Sequence, residues 1–238
     1  IGAQTSCYFY STNHVQLNRE NWVRRLPLGF CSMTWNKYYL WDDPQMSFFQ
    51  KTLGLQLELE KCGGISIPNF TPKSEKPTSI SKPYIAVFDV TPFEDEYVAD
   101  LFAVHPELHS GDIMSQFVDD IIMLGSESGL DVVIKTKRSI GLKFNQKYLN
   151  KLRALSNKEN IHVFYDEADP EDIITDADLA ISYPFTSTSI IAKNMGKPSY
   201  YYDPTASILP CLNVDRDIAL IPGIDELRSE LRRLNDRS

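Results

Sequence analysis

The sequence predicts an α/β protein, a doubly wound parallel sheet preceded by a partial domain. Three observations lead there. From Tyr84 onward short apolar runs alternate with amphipathic stretches. Those runs are nearly continuous in apolar residues, as strands covered on both faces require. Residues 1–70 do not keep that rhythm.

Tyr84–Val90 (YIAVFDV) reads as the first buried strand. Ile113–Ser126 places Ile113, Phe117, Ile121 and Leu124 on one helical face. Asp131–Lys135 (DVVIK) is the second strand, and a helix follows over about 146–156. Ile161–Tyr165 (IHVFY) is the third strand, and Pro170–Asp176 is a short helix with Pro early in its first turn. Leu179–Tyr183 (LAISY) is the fourth strand. Thr186–Met195 is a helix that Gly196 closes, with Pro198 beyond it. Ser199–Tyr202 is a fifth strand and Ile224–Leu234 a terminal amphipathic helix. Repeated strand–helix units wind right-handed into a parallel sheet. The Rossmann-like order expected is 3-2-1-4-5.

Ahead of this unit, Tyr38–Trp41 reads as a strand, Pro44–Leu53 as a helix and Gly63-Gly64 as a turn. Pro68–Pro83, with four prolines among Ser, Thr and Lys, reads as a linker. The expected division is therefore 1–70 as the tail of an N-terminal domain or a docked subdomain, 71–83 as linker and 84–238 as the main domain. The chain opens Ile1-Gly2 rather than with Met, which reads as a truncated chain.

Composition narrows the function. The 238 residues are 42% hydrophobic and 24% charged, ordinary for a folded protein, and carry a formal net charge of −8. Without a basic face to neutralise phosphates, nucleic acid is not an expected partner. Cys7, Cys31, Cys62 and Cys211 have no CxxC spacing and the histidines are scattered, so zinc and redox chemistry are not indicated. No apolar run reaches 18 residues.

Ligands of such sheets bind beyond the carboxyl ends of the strands, where the strand order reverses. The fourth strand ends at Pro184-Phe185 and the next helix opens on Thr186-Ser187-Thr188-Ser189. Free amides at a helix start attract anions, and hydroxyls add donors without adding charge. The competing reading is ordinary capping of the helix by Thr186 or Ser187. Lys135, Lys137 and Arg138 put three cations at the end of the second strand. Together these segments suggest a diphosphate or phosphosugar pocket. Neither a Walker loop nor a GxGxxG follows the first strand. Asp89, at the end of the first strand, is a candidate to orient substrate or act as base. His105, in the loop that follows, is the second candidate base, with His109 near it. Glu94-Asp95-Glu96 reads as a solvated loop, Asp166 and Glu167 as weak contacts to a base or ribose, and no metal site is expected.

Leu179–Pro204 (LAISYPFTSTSIIAKNMGKPSYYYDP) resembles the donor-binding half of GT-B glycosyltransferases. More narrowly, Pro184-Phe185-Thr186-Ser187 resembles the bacterial polysaccharide biosynthesis proteins named for that PFTS motif. Ile85–Asp89 (IAVFD), Lys135–Arg138 (KTKR) and Lys37–Trp41 (KYYLW) with Gly63–Pro68 are similar to the same family. The resemblance implies an enzyme of capsule or lipopolysaccharide assembly with two Rossmann-like domains and its active site in the cleft between them. It implies a nucleotide-sugar donor as substrate, no cofactor or metal, and a glycan or lipid-linked glycan acceptor. The location it implies is cytoplasmic, with peripheral association at the inner membrane. CMP-ulosonic-acid transferases carry Lys-x-His-Pro where this chain has Lys135-Thr136-Lys137-Arg138, so CMP, UDP and GDP all stay open. The expected function is metal-independent glycosyl transfer. The alternatives are a nucleotide-sugar epimerase on the same fold and a non-catalytic phospholigand-binding domain.

Overall fold

The computed structural model describes residues 3–9, 33–53, 58–63, 80, 83–94, 107–137, 143–165, 168–209 and 218–235. They form two parallel sheets. In the first, β1 (Ser6–Tyr8), β2 (Lys37–Leu40) and β3 (Glu58–Lys61) lie in that order, with α1 (Asp43–Leu53) crossing from β2 to β3. The sequence marks β2 and α1 but not β1 or β3, so this unit is a sheet rather than a lone strand and helix.

Its two faces differ. Tyr38 and Leu40 are buried, and Tyr38 packs with Phe9 and Phe49. The opposite face is open: Tyr8, 59% exposed, stacks flat on Tyr39 at 4.1 Å, and Lys37 bridges Glu58 and Glu60.

The larger sheet holds β4 (Tyr84–Phe88), β5 (Asp131–Lys135), β6 (Ile161–Phe164), β7 (Leu179–Ser182), β8 (Ser199–Asp203) and β9 (Leu220–Pro222). The spatial order is β6-β5-β4-β7-β8-β9, all parallel. This is the expected 3-2-1-4-5 order with one further edge strand. Helices α2 (Gly111–Ser128), α3 (Gln146–Leu155), α4 (Pro170–Thr175), α5 (Ser187–Asn194) and α6 (Gly223–Asn235) cover it.

Side-chain alternation sorts the covers. Ile85 and Val87 of β4 face Met114, Phe117 and Ile121 of α2 and Leu152 of α3, whereas Ala86 and Phe88 join Ile173 and Ile174 of α4 and Ala192 of α5. Winding on both faces is thus written in the period-2 pattern of the central strand. Gly125 lets α2 lie close on the sheet, since a Cβ there would sit 2.7 Å from Val132 Cγ2. Side-chain caps start three of these covering helices: Ser110 on α2, Asn145 on α3 and Asp169, ahead of Pro170, on α4. The apolar cluster that contains Ile85 and Phe117 runs on through Phe185 and Tyr201 to Trp41 and Phe49, so the two sheets share one buried cluster. Most of the expected linker, 71–83, lies outside the described residues.

Candidate functional site

The chain builds β4, β5 and β6 outward in one direction and β7, β8 and β9 in the other, so the order reverses between β4 and β7. Asp89 follows one of these strands and Tyr183–Thr186 the other. Any ligand at this switch point meets both.

The turn from β7 into α5 is tightly built. Pro184, Phe185 and Thr186 are buried, and Phe185 takes φ +62°, a left-handed conformation rare for an aromatic residue. Such a backbone costs about 1–3 kcal/mol and persists where its surroundings enforce it. Here the ring packs on Tyr201, whose hydroxyl donates to the Thr186 carbonyl at 3.2 Å.

Thr186 is the N-cap of α5, yet its side chain makes no capping bond. Its hydroxyl donates back to the Tyr183 carbonyl at 2.9 Å instead. Thr188 pairs with Ser182 at 2.8 Å, and Ser189 donates to the Tyr200 carbonyl at 3.1 Å. These three hydroxyls therefore fasten the turn to β7 and β8, and half-buried Ser187 stands at the first helical position. At the other end, Gly196 (φ +76°) donates to Lys193 O and Lys197 N donates to Ala192 O. That pair of bonds is a Schellman closure, as Gly196 foretells.

Asp89 is 2% exposed and accepts from three donors. The Lys137 amide reaches Oδ1 at 2.7 Å, the Tyr148 hydroxyl reaches Oδ2 at 2.8 Å, and Thr91 lies 3.2 Å from Oδ1. The carboxylate thus ties the ends of β4 and β5 to α3. Burial, with the nearby Asp89 charge second, pushes the Tyr148 phenol well above its ordinary value. Lys135 is buried and its ammonium donates to Thr136 O at 3.1 Å, whereas Lys137 is half-buried. Glu94 accepts the Gln146 amide at the start of α3 at 2.9 Å, a tie that its reading as a solvated loop residue leaves out. His109 packs edge-on against Tyr183. His105, Arg138, Asp166 and Glu167 lie outside the described residues.

Two features went unmarked in the sequence. Asp203, fully buried at the end of β8, accepts from Thr205 N, Thr205 Oγ1, Ser207 N and Ile208 N at 2.7–2.9 Å, holding the following loop closed. Beside α5, a cavity of about 170 Å³ opens between the two sheets, lined among others by Trp41, Lys61, Phe185, Lys193 and Tyr201. Among the described residues no group of three or more His, Cys, Asp or Glu is placed to hold a metal ion, and no helix is long and apolar enough to cross a membrane.

Comparison with curated proteins gives no match. Among solved structures the chain is similar to the wall teichoic acid polymerase TagF, with a TM-score of 0.51 and 13% identity over 96% of this chain and 59% of that one. It is also similar to a putative UDP-N-acetylglucosamine 2-epimerase from Listeria monocytogenes, with a TM-score of 0.49 and 13% identity over 85% of this chain and 51% of that one. The spinosyn forosaminyltransferase SpnP matches at a TM-score of 0.42 and 17% identity, over 85% of this chain and 47% of that one. The chain spans about half the length of these structures. At such identities the likeness is one of fold, and the TagF match supports a GT-B, Rossmann-like architecture. The family of polysaccharide biosynthesis PFTS motif proteins matches residues 1–231, with Pro184, Phe185, Thr186 and Ser187 supplying the motif, and the chain belongs to that family.

Proposed function

We propose that the chain forms the donor side of a glycosyltransferase in surface polysaccharide biosynthesis. The donor is a nucleotide sugar whose phosphate sits on the start of α5. The observation that carries this reading is the helix N-terminus that its own N-cap residue leaves without a side-chain bond. Simple capping would have turned a Thr186 or Ser187 oxygen onto the helix amides. Here the Thr186 hydroxyl points its hydrogen at Tyr183 O, and the amides of Ser187, Thr188 and Ser189 stand at the positive end of the helix dipole.

Negative charge grows on the nucleotide phosphate as the sugar departs. Amides and cations fixed in advance at that point stabilise the transition state without reorganising. Lys137 and Arg138, which follow β5 in the sequence, supply the cations that neutralise the departing phosphate, and His105 is the candidate base. Asp89 holds the Lys137 backbone in place, a positioning role consistent with its three donors. In this reading residues 84–238 bind the nucleotide sugar, and residues 1–70 are the last part of a domain facing the glycan or lipid-linked acceptor. The enzyme works in the cytoplasm against the inner membrane face and needs no metal.

Calorimetry with CMP, UDP and GDP tests the seat. One nucleotide is expected to bind, and Lys137→Ala with Ser187→Ala should weaken it about tenfold or more. No binding by any of the three would sink the donor reading, and binding unchanged in the double variant would place the phosphate elsewhere. Isotope exchange within a nucleotide sugar in the absence of acceptor would point to an epimerase.

A further inference from the structure

The cavity beside α5 has its own chemistry, separate from that of the helix start. Trp41, Phe185 and Tyr201 contribute its apolar wall, each at most 5% exposed. Asp42, Asp43, Lys61, Lys193 and Asn194 supply its polar groups. Two carboxylates stand against two ammonium groups, and Lys61 already pairs with Asp43 at 2.7 Å. With no surplus of positive charge, the cavity offers a phosphate or carboxylate little.

An entirely apolar guest fits no better, because it would strip water from these polar groups without replacing the hydrogen bonds. Size narrows the choice further. About 170 Å³ suits a single substituted six-membered ring and falls below the usual range for drug-sized ligands. A pyranose meets both demands, with C–H faces that lie on aromatic rings and hydroxyl edges that bond to carboxylate, amide and ammonium groups.

We propose that this cavity binds one neutral pyranose ring of a glycan. Phe185 links it to the helix start, since the same strained residue lines the cavity and leads the chain into α5. Assigning the ring to the acceptor rests on the transferase reading, whereas the sugar site itself does not.

Saturation-transfer NMR with the methyl glycosides of glucose, galactose, mannose and N-acetylglucosamine tests it, with UDP, CMP and GDP binding measured on the same samples. At least one glycoside should take saturation on its ring C–H protons. Asn194→Ala, an exposed change that leaves the core intact, should weaken it about tenfold, and Trp41→Ala should abolish it. Nucleotide binding should survive both. The proposal fails if no glycoside binds, if binding is unchanged in Asn194→Ala and Trp41→Ala together, or if methyl glucuronide binds where the neutral glycosides do not. Glycoside binding without nucleotide binding would sink the donor reading and uphold this site. Competition by the glycoside against UDP-glucose, but not against UDP, would overturn the acceptor assignment.

Discussion

Tyr148 donates its phenolic hydrogen to Oδ2 of Asp89 at 2.8 Å, fastening α3 to the end of β4. The carboxylate is buried, so each of its donors offsets the cost of holding charge away from water. Tyr148→Phe keeps the ring and removes that donor. It should cost about 1.5–3 kcal/mol in urea unfolding, the range for a hydrogen bond to a charged group. Asp89→Ala should cost more, because it strands the Lys137 amide as well. A Tyr148→Phe protein as stable as the parent would show that the other donors suffice.

Phe185 yields a test through its backbone. At φ +62° alanine is strained and glycine is not, while both lose the ring. Phe185→Ala should therefore be the worse of the two by about 1 kcal/mol, with each costing about 3–5 kcal/mol relative to phenylalanine. The usual order, with glycine below alanine, would mean that the turn relaxes to negative φ once the ring is gone.

Asp120 on α2 makes stability depend on pH. Burial first, and Asp119 among the lesser causes, raises its carboxyl above the ordinary value of 3.8, although the Tyr202 hydroxyl donates to it at 2.6 Å. Between the unfolded and folded values the folded chain binds more protons than the unfolded one. This contribution is full below the unfolded value and is lost as pH rises through the folded one. Asp120→Asn does not titrate, so its melting temperature should gain on that of the parent as pH rises above the ordinary carboxyl value of 3.8. The gain should be no more than a few degrees, at about 2–4 °C per kcal/mol. A difference that ignores pH would assign the effect to packing.

The large sheet was legible because its strands announce themselves. Tyr84–Phe88, Asp131–Lys135 and Leu179–Ser182 are nearly unbroken apolar runs, and strands buried on both faces are made that way. Glu58–Lys61 and Ser6–Tyr8 lie in a sheet open on one side, so their polar residues hid them. Leu220–Pro222 is three residues long at an edge and ends in proline. At the site, the helix start after Pro184 was readable, but the partners of its hydroxyls were not. Ser182 and Tyr200 meet Thr188 and Ser189 by packing, which no spacing encodes. Tyr148 sits in helical register and reads as core. The cavity unites Trp41 with Tyr201, residues far apart in the chain.

The open face of the small sheet carries its own spectroscopic label. The Tyr8 and Tyr39 rings stack with centroids 4.1 Å apart and planes nearly parallel, close enough for their electronic transitions to couple. Their near-ultraviolet circular dichroism should carry an exciton band that the buried tyrosines of the larger sheet do not share. Followed during a melt, that band reads out the loss of the β1–β2 pairing by itself, and Tyr8→Phe provides the blank against which to subtract it.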